Sequence, residues 1–481
     1  MTNVSDLFPA GGGNNTIEMV ASGALSNGDQ VILQSDGTVK VVAEVAASLG
    51  SAASTFTGNY GLSVSMLTPT TFVGCGQDAG NSNNASCVIG TVSGTAITFG
   101  TQVSAGIGYQ TELLQVQAIS ATQFVVIWKD WGDTNKGKAV GATVSGNSIT
   151  FGTAVTFESG QTSPANANAC TPLSDTQFVI AFEDASDTGK AKAIVGTINS
   201  SNALSFGTAA VTAIPNSSKY SVVSKLSSTK IVIAWSDTPS TERGMVRIGT
   251  VSGTSISFGS AVVYDSPYMV RHSITALSET TFVIAYQYDR YAATGIFIGK
   301  AIIGSVSGTT ITLGTPTTFT STNLGNHWMS ATKISESAFS IVYRGTSGYG
   351  TLIIASVIGT SITYDTPIVY NSSAITNFYS TYSTASGIVI GYDLTDFTSI
   401  VYSLSSTNLT TSNLLGISQS TVADTETLEV ETLGGLATNL SGLTIGSKYY
   451  VQDDGTTTTN SAGQFLGRAI TTTTINMKEF T

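Results

Sequence analysis

One pattern comes round seven times in this chain: an apolar run starting at Phe72, Phe124, Phe178, Ile231, Phe282, Phe339 or Ile388, followed by a turn that usually carries an aspartate. Successive copies are separated by between 49 residues (339 to 388) and 57 residues (282 to 339). A unit of about 50 residues made only of strand-like runs holds one four-stranded sheet, which cannot bury both of its faces alone and has to stack on its neighbours. Seven such sheets closed into a ring make a β-propeller.

The copies can be laid side by side. Ile119 to Trp128 matches Leu173 to Phe182, and Leu277 to Tyr286 repeats it. A further run follows in each, as in Lys138-Ala139-Val140-Gly141, Ala193-Ile194-Val195-Gly196 and Ala301-Ile302-Ile303-Gly304. The next run comes after a Ser-Gly turn and is anchored by Phe99, Phe151, Phe206, Phe258, Leu313 and Tyr364. Adding the run before each Leu-Ser-x-Thr turn gives four strands per unit, A to D in chain order. These runs are rich in Val, Ile, Thr, Phe and Tyr and are bounded by Gly, Ser and Asn, which favours strand over helix. Ile231 to Trp235 is apolar on both faces, as a sheet sandwiched between two others requires. The seventh copy loses regularity after Ser403, and Leu409 is the expected anchor of its last strand, with residues 38–45 as the alternative.

Outside the repeats the two ends of the chain resemble each other. Leu25 to Thr38 aligns without gaps on Leu443 to Thr456, sharing the leucine, two glycines, Gln34 with Gln452, Asp36 with Asp454, and the final threonine. Each copy reads as turn, strand, Asp-Gly hairpin, strand. Neither end has enough apolar surface for a core of its own, so the two are expected to share one. The expected fold is all-β: a seven-bladed β-propeller of four-stranded blades (49–412) inserted into a small β domain built from both termini (1–48 and 413–481).

The paired end motifs, Gly23-Ala24-Leu25-Ser26-Asn27-Gly28-Asp29 and Gly434-Gly435-Leu436 through Asp454-Gly455-Thr456, resemble those of tail-fibre-type and other virion appendage proteins of tailed bacteriophages. The resemblance implies a structural role in a virion, with the end domain docking to the particle and the propeller displayed outward. It also implies other virion proteins as partners, a homo-oligomer, and assembly in the host cytoplasm. No catalytic residue follows from it. The function expected is host-surface attachment, with a decoration protein or a glycan-degrading propeller as alternatives.

Only 10% of residues are charged, and the net charge is −11 with a pI near 4.6. That balance argues against nucleic acid, because binding phosphates needs a basic patch. No apolar run reaches the 18 or so residues that span a bilayer, and Met1 to Asn15 does not read as a secretion signal. Cys75, Cys87 and Cys170 show no metal spacing and no even-numbered disulfide framework, so all three are expected to be small packing residues.

Carboxylates recur after strand B at Asp78, Asp130, Asp184, Asp237, Asp289 and Asp393, and the sixth repeat has Arg344 instead. An aspartate that opens a turn ordinarily bonds its own backbone, and that is the expected role. Sialidase-type boxes and calcium loops are not matched; Ser186-Asp187-Thr188-Gly189-Lys190 comes nearest the former. His272 and His327 lack a third metal ligand, and no Ser-His-Asp arrangement can be drawn from them. No cofactor and no enzymatic activity are expected. The A–B and C–D turns scarcely change between copies, whereas the B–C and D–A loops vary and lie on one face. These loops contribute Trp131, Tyr268, Tyr288, Tyr291, Trp328 and Tyr349, the candidate contacts for a host surface glycan or protein.

Overall fold

The computed structural model describes residues 15–477 apart from 57–60, 82–83, 108–110, 165–168, 212–217, 238–241, 290–295, 326, 376, 394–395, 408, 410–412 and 439. The chain divides into two compact units, Leu49–Ser403 and Met1–Ser48 with Leu404–Thr481.

In the larger unit each repeat forms one antiparallel blade. The first consists of Ser63–Met66, Thr71–Asp78, Asn84–Ser93 and Ala96–Phe99, with Val103–Ser104 continuing the outer edge. Strand D is thus in two pieces. Phe99 pairs with Gly90, Val103 pairs with Cys87, and between them the Gly100 N–H donates to the Ile89 carbonyl at 2.8 Å. The same step recurs at Gly152, Gly207, Gly259, Gly314 and Asp365. At Gly100, Gly259 and Gly314 a β-carbon would press on Asn147, Thr309 and Thr360, each in the C–D turn of the next blade. Glycine here lets successive blades approach closely. A second glycine requirement lies on strand C: the rings of Phe72, Phe178 and Phe282 rest on Gly90, Gly196 and Gly304, their register partners.

Seven blades are found among the described residues, and the last is completed from the other end of the chain. Phe378–Ser383, Gly387–Asp393 and Phe397–Ser403 are followed at the edge by Ser48–Leu49 and Ala53–Ser54. Gly50 repeats the strand D step by donating to the Val401 carbonyl at 2.8 Å, and it packs against Thr95 of blade 1. Leu409 is not in this blade; it is buried with Ile32, Leu414 and Val451 in the terminal unit. Nor is 38–45, because Val39–Val41 pairs with Gln30–Leu33 in that unit. The reason is that an outer strand supplied by the start of the ring ties blade 7 to blade 1 and leaves no free end between them.

The innermost strands are joined to one another by side chains. Hydroxyls of Ser65, Thr171, Ser224, Ser273, Ser330 and Thr381 accept from the backbone N–H groups of Ala118, Lys225, Ala276, Ala331, Ser380 and Met66, each on the next blade, at 2.9–3.4 Å. An edge strand exposes donors that must be paired, and these hydroxyls pair them. They surround a channel of about 440 Å³ lined by residues such as Gln117, Thr275 and Thr332. Blades 2 and 3 form one continuous sheet, because Val155–Pro164 pairs with the third strand of blade 2 and the second of blade 3.

Cys75 and Cys87 face each other across strands B and C and form a disulfide, contrary to the expectation of separate thiols. Spacing alone did not show that strand register would set them opposite one another. Cys170 is a buried free thiol whose pKa burial raises far above the usual range.

Among its described residues the smaller unit has a short pairing of Glu44–Val45 with Ser406–Thr407 and two five-stranded sheets. One interleaves the chain ends in the order Thr16–Val20, Thr427–Thr432, Leu414–Ser418, Gln30–Leu33, Val39–Val41. The other is built from the C-terminal part alone, from Leu436–Ala437 through Thr457–Thr458. The two end motifs adopt the same hairpin. Gly37 and Gly455 have φ of 85° and 82°, and Thr38 and Thr456 donate their N–H to Asp36 and Asp454 at 2.9 and 2.8 Å. Bonds from that threonine hold both carboxyls below the usual range.

Candidate functional site

The ends of the B strands show what the recurrent carboxylates do. From the Phe or Ile that begins each copy, the step to the aspartate is six residues in blades 1 to 4 (72 to 78, 124 to 130, 178 to 184, 231 to 237). It is seven in blade 5 (282 to 289) and five in blade 7 (388 to 393), as is the step to Arg344 (339 to 344). Side chains alternate between faces along a strand, so the carboxylates do not form a ring of equivalent groups.

In blades 1 to 4 they close their own loops, whereas Asp393 accepts from Asn377, ahead of strand A of blade 7, at 2.8 and 2.7 Å. Asp130 accepts from the N–H groups of Gly132 and Asp133 and pairs with Lys138 at 2.6 Å. Asp184 does the same with Ser186, Asp187 and Lys192, again at 2.6 Å. Asp78 caps Gly80, and Asp237 pairs with Arg243 at 2.8 Å. Burial acts to raise the Asp184 pKa, but bonds from Lys192 and Ser186 outweigh it and leave it lowered.

At the mouth of the channel on this face, three large side chains converge from successive blades. The guanidinium of Arg271 lies 4.1 Å from the centre of the Trp328 ring and 5.1 Å from that of Tyr220, and the two rings meet edge to face at 5.7 Å. Tyr220 and Arg271 sit in bulges near the start of strand A in blades 4 and 5, where the register shifts between Lys219 and Val222 and between Val270 and Ser273. Both have left-handed backbone, φ 59° and 53°. For non-glycine residues such backbone costs on the order of 1 kcal/mol or more, and bulges of this kind re-aim side chains. Sequence reading missed both residues; the available signal was that they occupy the same place in two repeats and are the bulky residues there.

Of the candidate aromatics, Trp328 is in this cluster. Trp131 opens the B–C turn of blade 2, 51% exposed, with the Lys129 ammonium 5.2 Å from its ring. Tyr288 lies on strand B of blade 5 beneath Lys300, whose ammonium is 3.9 Å from the ring centre. Tyr268 precedes strand A of blade 5, and its carbonyl accepts from Asp289 at 3.2 Å. Tyr349 begins strand C of blade 6. Tyr291 lies outside the described residues. The candidates share a face but are spread over blades 2, 5 and 6, so they do not make a single patch.

The histidines have separate roles. His272 is buried, with Nε2 2.8 Å from Ser236 Oγ and Nδ1 2.6 Å from the Tyr264 hydroxyl, and burial brings its pKa down to about 3. Ser236 donates to the Met269 carbonyl at 2.5 Å and is itself buried, so this pair is packing and offers no nucleophile. His327 lies at the mouth against Arg344; burial, then Arg344 and Arg271, hold its pKa below the usual value. Among the described residues no three His, Cys, Asp or Glu side chains are grouped to hold a metal.

Blade 6 carries two adjoining clefts on the same face. One, of about 290 Å³, includes His327, Arg344, Thr346, Ser347 and Gly348 in its wall. The other, of about 210 Å³, is walled by Tyr343, Tyr349, Pro367 and Val369, and the two share Thr322, Gly345 and Thr346.

No protein-family model matches this chain, and no curated protein does either. Among solved structures, the BP39L lectin from Burkholderia pseudomallei matches with a TM-score of 0.51 at 9% identity, covering 73% of this chain and 96% of that one. A mutant of AofleA from Arthrobotrys oligospora gives a TM-score of 0.41 at 9% identity, covering 71% and 96%. At this identity the match to BP39L speaks for the fold alone, an all-β propeller.

Proposed function

We propose that this chain is a saccharide-binding propeller that attaches its bearer to a glycan-coated surface without cleaving what it holds. The observation that carries this reading is the Tyr220–Arg271–Trp328 cluster: three flat, half-buried groups from three blades, set at the channel mouth by backbone that costs energy to hold. Aromatic faces beside polar donors suit the apolar faces and hydroxyls of a sugar, and strain retained at one place is a mark of use. A propeller fold shared with a protein described as a lectin is in keeping with it. The carboxylates at the strand ends are engaged in caps and ion pairs, which supports binding over hydrolysis.

The resemblance of the end motifs supports assigning the protein to a phage particle, with the terminal unit docked to other virion proteins and several copies of the ring displayed. Weak single-site affinities then add through effective concentration. Fluorescently labelled protein should stain host cells and bind spots on a glycan array, and Trp328→Ala should weaken both while a reducing-sugar assay stays flat. Loss of all cell and glycan binding in the wild-type protein would overturn the attachment reading in favour of a decoration role. Sugar release would overturn the claim that it does not cleave.

A further inference from the structure

We propose that the paired clefts on blade 6 form a subsite for an acidic saccharide, in which Arg344 binds a carboxylate or phosphate oxygen and the Tyr349 side takes the apolar face of the ring. This rests on the saccharide-binding reading and names the class of sugar.

The argument starts from a repeat that breaks its own rule. Where blades 2 and 3 end strand B with an aspartate that caps the loop and pairs with a lysine, blade 6 has Arg344 followed by Gly345. None of the residues walling the 290 Å³ cleft is acidic, and among the described residues Arg344 forms no ion pair with a carboxylate. In a chain carrying −11 net charge, a cationic cleft without a carboxylate is an exception that calls for a counter-charge.

The guanidinium is held in place. It lies against His327 Nε2, and a β-carbon at Gly348 would come within 2.9 Å of both its Nε and Nη2. Gly348 has φ 81° and Ser347 φ 60°, so the backbone bends back to make room for it. Burial and Arg344 hold the His327 pKa below its usual value, and the ring accepts from Arg344 Nη1, so an oxyanion in the cleft would meet the guanidinium's remaining N–H groups. The neighbouring wall offers exposed apolar surface beside Thr346: Val369 is 51% exposed and Tyr349 36%. An anion and an apolar ring face joined by a short span, with hydroxyls of Thr322 and Thr346 between, describe an acidic sugar residue.

The test is calorimetric titration of the full chain with sodium glucuronate, inorganic phosphate and a neutral hexose trisaccharide, on the wild type and on Arg344→Gln and Tyr349→Ala. The expected result is that Arg344→Gln weakens glucuronate or phosphate binding about tenfold or more while neutral-sugar binding persists. Tyr349→Ala weakens glucuronate but leaves phosphate unchanged, with circular dichroism of both variants unaltered. Phosphate binding without glucuronate binding supports the subsite and identifies a phosphorylated sugar as its source. Neutral-sugar binding with no response to either anion, or anion binding indifferent to Arg344→Gln, overturns the subsite and leaves the broader reading standing. No binding of any probe overturns both.

Discussion

Blades 1 to 4 and blade 6 are copies of one repeat that treat the same loop in opposite ways. In the first group the B–C hairpin is tied shut: by Cys75–Cys87 in blade 1, by Asp130 with Lys138 and Asp184 with Lys192 in blades 2 and 3, and by Asp237 with Arg243 in blade 4. Blade 6 has no such tie, and its loop borders two clefts. A ring needs most of its copies for closure and can release one of them for recognition. The difference teaches where stability and where binding should be sought.

The largest effect should come from the disulfide. Bridging residues 12 apart restricts the unfolded chain enough to contribute about 3 kcal/mol. Adding reductant should lower the urea midpoint of the wild type, and the Cys75→Ala/Cys87→Ala variant should start low and ignore reductant. An equal midpoint in both would remove blade 1 from the tied group. Next is Asp184→Ala, which leaves the N–H groups of Ser186 and Asp187 without their acceptor and Lys192 with Asp187 alone, at 3.2 Å, and should cost about 2 kcal/mol of ring stability. Arg344→Gln should shift the same unfolding curve by about 0.5 kcal/mol or less. Comparable losses at the two positions would erase the contrast.

Blade 3 also yields a prediction in pH. Burial pushes Glu183 up to about 7, against the pull of Lys219 and Lys129. Its folded pKa therefore lies above the unfolded value of about 4.3, so the stability it contributes is fully present below about pH 4.3 and is lost as pH rises from there through about 7. Glu183→Gln should raise the melting temperature most at pH 8, less at pH 5, and leave it nearly unchanged below about pH 4. The smallest effect runs the other way. Lys190 and Lys192 hold Asp187 below the usual range, so its contribution is present above pH 4 and lost as pH falls through the lowered value. A melting temperature of Asp187→Asn that matched the wild type at pH 7 would show that this exposed pair adds nothing.

How much of this was legible beforehand differs from element to element. Phe72, Phe178 and Phe282 announced the blades because a phenyl ring over a glycine is a local, repeated demand on sequence. The seventh outer strand was legible too, in Ser48-Leu49-Gly50, which copies Thr98-Phe99-Gly100 and Thr312-Leu313-Gly314. The expected positions, Leu409 or residues 38–45, both miss it, the second by a few residues, because the Leu-Gly step and not chain position marks the strand. Trp328 could be picked out by residue type. Tyr220 and Arg271 share a place in two repeats, but that alone does not bring them together, since what makes them neighbours is a bulge in each of two strands and the closure of the ring.

By itself, then, the order of residues determined the unit: strand runs, hairpin turns and the glycines that let sheets stack are short-range preferences, and seven copies state them seven times. Only the folded ring decided which cysteines meet, which strand completes blade 7, and that Tyr220, Arg271 and Trp328 face one another across three blades. The cysteines are 12 residues apart in one hairpin and the other contacts join residues about 50 to several hundred apart; register sets the first and ring closure the rest, to which no local preference extends.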